Sequence, residues 1–331
     1  MQKGEVVGGY SYCFAAVKMA GSAACLALLA GNGPARAVED VTPFIPGATI
    51  GIPAGLLPPP GLYGSLSFAG FNFKGKSDTG RDTGTKIESN PMALSLLYVP
   101  GWSVFGAGYG FGIIQPFRNQ TLTTPRFTDQ HFGPVNTILN LGTLSWRFEN
   151  GLSASVGMNV YLNSGDYALG RPVNTGRNYA TFEPRFGISY VRDGWSLSSN
   201  VAFNVNTKND ATLYQSGSLI ASDLTATRRF FGKLEIGLGS TIIYQFTDDI
   251  RAGVVVPAVK DGRGRGNRSR FVSLGPVVAY DFGAFTLSVY YQRSLLAENM
   301  AGGHQIWSRV NFPLYSARPA TQAELESAAR R

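Results

Sequence analysis

The chain has 331 residues, 44% apolar and 15% charged, with 41 glycines and a formal net charge of +8; an average soluble domain carries roughly 25% charged residues. This composition can build a core, which excludes general disorder. No apolar run reaches the ~18–20 residues of a membrane-spanning helix, which excludes a helical membrane protein. Few charges with many glycines and aromatics favour an all-β chain, and a transmembrane barrel has this composition because alternation halves its hydrophobicity.

Residues 1–37 read as a secretory signal peptide cleaved after Ala37. Lys3 and Lys18 supply positive charge, Met19 to Gly31 are mostly apolar, and Ala35-Arg36-Ala37 fits a cleavage site. Both cysteines, Cys13 and Cys25, fall inside it, so the mature chain is exported without disulfides or a cysteine-based metal or redox site. The remaining basic excess is mild, and export argues against a nucleic-acid partner.

Residues 38–60 are rich in proline yet apolar, with Phe44, Ile45, Ile50, Ile52, Leu56 and Leu57. Two readings stand: a partial plug folded into a lumen, or a periplasmic linker.

Residues 61–315 read as a barrel. The candidate strands are 62–73, 90–99, 102–114, 135–147, 152–163, 179–192, 195–207, 228–246, 250–259, 270–282, 285–295 and 304–314. In the third, Gly106, Gly108, Gly110 and Gly112 take the inward positions opposite Phe105, Tyr109 and Phe111. Their spacing is not that of a nucleotide-binding loop. Missing side chains there leave lumen space, admit another backbone, or bend the strand.

Alternation is strict through the middle of the chain. Leu152, Ala154, Val156, Met158, Val160 and Leu162 share one face against Ser153, Ser155, Gly157, Asn159, Tyr161 and Asn163. Phe182, Phe186 and Ile188 alternate with Thr181, Glu183, Arg185 and Ser189, and Leu197, Val201 and Phe203 with Ser198, Asn200 and Asn204. Leu234, Ile236 and Leu238 alternate with Lys233 and Glu235. Period-2 alternation over such lengths is a strand signal, and the strands exceed the 5–6 residues usual in a soluble sandwich. The apolar face carries no charge. Glu183, Arg185, Lys233, Glu235 and Arg251 lie on the other face, where a polar or water-filled lumen tolerates them. They make either a structural salt-bridge network or a filter that selects solutes.

Short links such as Asp193-Gly194 and Gly283-Ala284 alternate with long ones, the layout of a bacterial outer-membrane barrel. Tyr98, Tyr190, Trp195, Tyr244, Phe246, Tyr280, Phe282 and Phe285 then form an aromatic belt beside the short turns. Lys260, Arg263, Arg265, Arg268 and Arg270 mark an outer basic loop suited to lipopolysaccharide phosphates or to solvation. Residues 316–331 read as a polar periplasmic tail.

Catalysis finds no support in the pattern. The only histidines are His131 and His304, neither with an adjacent serine in a recognisable motif, and no metal-ligand cluster exists in the sequence. No cofactor is implied.

Pro43-Phe44-Ile45-Pro46-Gly47, Pro53-Ala54-Gly55 and Pro58-Pro59-Pro60-Gly61-Leu62-Tyr63 resemble the opening of outer-membrane proteins labelled as involved in the meta-pathway of phenol degradation. The resemblance extends through Asn150-Gly151-Leu152, Tyr161 to Tyr167 and Phe182-Glu183-Pro184-Arg185, over roughly Val41 to Pro313. It implies a transporter-like channel of the bacterial outer membrane, tied to aromatic-compound catabolism. The expectation is therefore an antiparallel transmembrane β-barrel of about 12 strands, bathed in outer-membrane lipid, that passes small hydrophobic or aromatic solutes without catalysis. The alternative is a closed structural or surface-interaction barrel. The oligomeric state is not encoded legibly.

Overall fold

The computed structural model describes residues 43–256 and 267–316. The expected signal peptide, the start of the proline-rich segment, residues 257–259 of the expected strand 250–259, Lys260, Arg263 and Arg265 of the basic loop, and residues 317–331 lie outside them.

The described residues form twelve long strands: β1 (Gly61–Lys76), β2 (Asp82–Val99), β3 (Ala107–Thr123), β4 (Ile138–Arg147), β5 (Leu152–Tyr161), β6 (Thr181–Arg192), β7 (Trp195–Asn206), β8 (Leu219–Phe230), β9 (Leu234–Gln245), β10 (Arg270–Asp281), β11 (Thr286–Glu298) and β12 (Ala301–Ser316). Each pairs antiparallel with the next. β1 also pairs with β12, from Gly61 opposite Ser316 to Gly75 opposite Ala301. That pairing closes the sheet, and closure removes the unpaired edges that lipid would not tolerate.

Burial is inverted relative to a soluble protein. Phe182, Phe186 and Ile188 are exposed on β6, while Thr181, Glu183 and Ser189 are buried. The same inversion holds on β5, β7 and β9, so the face assigned to lipid from the alternation points outward on all four strands.

The count of twelve holds, but two of its members differ. The expected strand 228–246 is two strands, β8 and β9, joined by a tight turn in which Phe231 and Gly232 have φ of 51° and 73°. The described part of the expected strand 250–259, residues 250–256, is not part of the wall. Residues 250–251 and 254–255 instead form a small hairpin in the loop after β9, paired with Tyr214 and Gln215. The reason lies in parity. Phe230 stands opposite Leu234 across a three-residue turn, so even-numbered residues face outward on both strands and the alternation runs through the turn unbroken. At Asp193-Gly194, a two-residue turn with φ of 54° and 79°, the parity flips and the turn shows.

Two further expectations shift with this register. Tyr244 and Phe246 lie at the long-loop end of β9, so they leave the aromatic belt, and Phe230 and Phe231 stand beside the short turns instead. Tyr280, Phe282 and Phe285 remain there in contact, Phe285 stacked on Phe282 and Tyr280 tilted against it, with successive ring centroids 4.7 Å apart. The links expected at 74–89 and 296–303 are short, because β1–β2 and β11–β12 continue as paired hairpins down to 77–81 and 299–300.

Candidate functional site

The site is the barrel lumen, and residues 43–60 cross it. Turn chemistry shapes this segment. Ile45-Pro46-Gly47-Ala48 is a turn with Pro in the second position, Gly47 at φ 84° in the third, and Ala48 N–H donating to Ile45 O at 3.1 Å. Thr49-Ile50-Gly51-Ile52 repeats it, with Gly51 at φ 78°. Such turns leave most of their N–H and C=O groups pointing outward. Inside a barrel those groups need partners, and the lumen side chains supply them.

On one side stands Asp223 of β8, fully enclosed. It accepts from Gly47 N–H at 3.2 Å, Thr49 N–H at 2.8 Å, Thr49 Oγ1 at 2.8 Å and Thr241 Oγ1 at 2.6 Å. Opposite stands Arg309 of β12, 2% exposed. It donates to Ile50 O at 2.8 Å and to Ala48 O, and Tyr290 OH donates to Gly47 O at 2.8 Å. An anion thus holds the N–H groups of the turn while a cation holds its carbonyls.

Farther along, serines take over. Ser198 and Ser189 accept from Ala54 N–H and Gly55 N–H at 2.8 and 2.9 Å. Ser155 donates to Ala54 O and Ser145 to Gly55 O, both at 2.8 Å, and Arg147 donates to Leu57 O. Glycines in the wall make the approach possible. A Cβ on Gly187 would lie 2.3 Å from Ala54 O, and one on Gly239 would lie 2.7 Å from the Ile50 side chain.

Of the glycine stripe, Gly110 faces the segment, with Leu57 Cδ atoms 3.3 Å from where its Cβ would be. Gly112 lies at a bulge where a Cβ would meet Leu96 O at 2.2 Å. Gly106 is a turn residue with φ 75°, just before the strand, and Gly108 is exposed. The stripe is therefore not one continuous inward wall.

The five charged residues do not come together. Glu183 is buried and accepts from Asn159 Nδ2, Tyr161 OH and Asn204 Nδ2 at 2.9, 2.8 and 2.7 Å, with Arg185 Nε at 3.7 Å. Glu235 sits near the short-turn end, bound to Arg229 Nε at 2.9 Å. Lys233 lies in the turn between β8 and β9, and Arg251 lies in the outer loop with its guanidinium 5.1 Å from the Tyr214 ring centroid. Neither shares the wall of Glu183, because the misplaced turn had drawn both into strands.

Of the residues that grip the segment, Ser155, Ser189 and Ser198 stand on the polar face read from the alternation, but Asp223 escaped sequence reading for the same reason. Asp223 fell in a stretch read as loop 208–227. Arg309 was legible as an inward position of β12, three residues from outward Ile306, but nothing local linked it to Ala48.

On the outer side, Asp249 ties two loops together. It accepts from Tyr214 OH, Gly217 N–H, Gln245 Nε2 and Asn267 Nδ2 at 2.5 to 3.1 Å. Burial pushes its carboxyl up to about 6 despite these donors. His131 Nε2 lies 2.6 Å from Asp166 in the neighbouring loop, and the Arg171 and His131 hydrogen bonds hold the Asp166 carboxyl below its usual range. His304 meets Tyr291 on the outer face. Among the described residues, no group of three or more His, Cys, Asp or Glu side chains is placed to hold a metal.

Residues 70–310 match the model of the family described as "Putative MetA-pathway of phenol degradation". The chain belongs to this family. The match to the phenol-degradation family begins after the Pro-Gly opening, so the barrel itself carries the membership. Among solved structures, an outer-membrane channel from Pseudomonas putida F1 superposes with a TM-score of 0.69 at 13% identity, over 79% of this chain and 98% of that one. Looser likenesses include the β domain of the Bordetella autotransporter BrkA, at TM-score 0.44 and 12% identity over 77% and 100% of the two chains. Another is the monoaromatic hydrocarbon channel CymD, at TM-score 0.44 and 8% identity over 80% and 90%. No curated protein sequence matches. The closed twelve-strand wall, the outward apolar face and the first of these likenesses make this member of the family a β-barrel of the bacterial outer membrane.

Proposed function

We propose that the protein is a passive outer-membrane channel for small hydrophobic or aromatic compounds, and that residues 43–60 act as its plug. The observation that carries the plug is the reciprocal hydrogen bonding of the segment with Asp223, Arg309 and the lumen serines. Aromatic cargo is supported by family membership and by the lumen side chains Phe71, Tyr290 and Trp307. Trp307 stacks on Tyr290 at 5.9 Å and meets Phe71 at 5.6 Å. No chemistry on the solute is required: the wall excludes lipid, the lumen offers aromatic contact, and displacement of the segment opens a path.

Planar-bilayer conductance tests the plug, and phenol entry into proteoliposomes tests the cargo. Deleting residues 43–57 should leave the barrel folded, raise conductance and speed phenol entry. Equal conductance of the deleted and intact chains would make the segment a linker. The extent of hydrogen bonding also favours a second reading, a permanently closed structural barrel, which predicts silence from the intact chain under every condition.

A further inference from the structure

From β7 to β11, one level of the lumen wall is apolar between polar neighbours. Ala202 of β7 stands opposite Ala221 of β8, Ala221 opposite Ile243 of β9, Ile243 opposite Phe271 of β10, and Phe271 opposite Ala297 of β11. These five buried residues form a single apolar rung across five strands, and with Leu219 they pack around Phe44, itself 3% exposed. The level nearer the short turns is polar, with Asn200 opposite Asp223, Asp223 opposite Thr241 and Thr241 opposite Ser273. Nearer the outer loops, Asn204 and Gln245 both stand opposite Leu219. A bare apolar rung in a hydrated passage is unfavourable until something apolar covers it. Three of the five are alanines, so the rung is recessed. What fills the recess is a benzyl group that belongs to no strand.

We propose that this rung is a binding subsite for a monocyclic aromatic solute and that Phe44 occupies it as an internal stand-in. The inference rests on the channel reading and specifies where the solute pauses. Asn204 gives the subsite a polar edge. It is fully buried, and its Nδ2 donates to Glu183 at 2.7 Å, which fixes the orientation of the amide and leaves Oδ1 without a partner. An unpaired buried acceptor beside an apolar recess favours a ring that carries a hydroxyl. A phenol donates its O–H to Asn204 Oδ1 while its ring replaces that of Phe44; a plain hydrocarbon leaves the oxygen unsatisfied.

Alanine-methyl NMR on the full mature chain in lipid nanodiscs reads the subsite directly, because a ring placed on the rung shifts the methyls of Ala202, Ala221 and Ala297. In Phe44→Ala, phenol should shift these three methyls saturably and bind at least about tenfold more tightly than to wild type, as an emptied apolar cavity admits a benzene-sized ligand. Phe44→Leu, a milder change that keeps the segment packed, should lie between. Adding Ala221→Leu to Phe44→Ala should abolish the shifts. Phenol should exceed benzene by about tenfold, and Asn204→Leu should erase that preference. Absence of shifts in both Phe44 variants, or binding unaffected by Ala221→Leu, overturns the subsite; equal affinity for phenol and benzene overturns the role of Asn204. Methyl shifts that persist while phenol fails to enter proteoliposomes, even with residues 43–57 deleted, would sink the channel reading and leave the subsite standing.

Discussion

The two walls that hold the segment do so in different ways. On β4 to β7 the partners are mostly neutral serines, each making one or two hydrogen bonds, joined by Arg147 on Leu57 O and Asn200 on Thr49 Oγ1. On β8 and β12 they are a buried carboxylate and a buried guanidinium that each gather two backbone groups, and on β11 a phenol hydroxyl that takes one more. A neutral hydrogen bond exchanged with water contributes about 1 kcal/mol net, whereas removing a shared acceptor strands every donor it served, at about 1–3 kcal/mol each. On the proposed plug reading, the serine wall is the more redundant, and the charged wall is where the segment would be released.

The largest effect should come from the charged wall. Asp223→Ala strands two backbone N–H groups and two hydroxyls, and should weaken docking of the segment by about 4 kcal/mol, on the order of a thousandfold in open occupancy. Single-channel open probability measures it. Should Ser189→Ala open the pore as far as Asp223→Ala does, the contrast between the walls is wrong.

Next comes the contrast between the outer and inner faces. Phe186 is half exposed, outward and in the middle of β6. Phe186→Arg should destabilise the barrel by about 2–4 kcal/mol if it meets the bilayer midplane, as read from folding titrations in vesicles. Arg185→Gln, one residue away and facing the lumen, should cost less than about 1 kcal/mol, since its pairing with Glu183 is long and partly solvated, while changing ion or solute selectivity. A silent Phe186→Arg beside a damaging Arg185→Gln would invert the register of the strand.

Ser189→Ala or Ser198→Ala should each cost about 1 kcal/mol of docking, visible as briefer closed times with the conductance level unchanged.

The remaining effect is outside the membrane and leaves the docking of the segment untouched. The Asp249 carboxyl titrates at about 6 in the folded protein, against about 3.9 when unfolded. A raised folded value means the fold binds the proton more tightly, so the loop contact is most stable below pH 4, weakens as pH rises through 6 and is flat above. Hydrogen exchange of residues 207–218, corrected for its intrinsic pH dependence, should accelerate between pH 4 and 7. Constant protection over that range would place the carboxyl at its ordinary value.

The sequence by itself settled the barrel, its outward face and the short turns at Asp193-Gly194 and Gly151, because alternation and turn chemistry are local and lipid enforces them residue by residue. It also marked residues 38–60 as too apolar for a solvated tail. It misplaced the turn at Phe231-Gly232, where a three-residue link keeps parity and hides itself. Only the tertiary structure decided which residues meet in the lumen. Asp223 meets Thr49 across 174 residues and Arg309 meets Ile50 across 259. The apolar rung exists only because Ala202, Ala221, Ile243, Phe271 and Ala297 fall at one level when five strands are set in register. Period-2 patterning says which face a residue takes; its height in the barrel, and so its neighbours, follows from the stagger of the whole closed sheet.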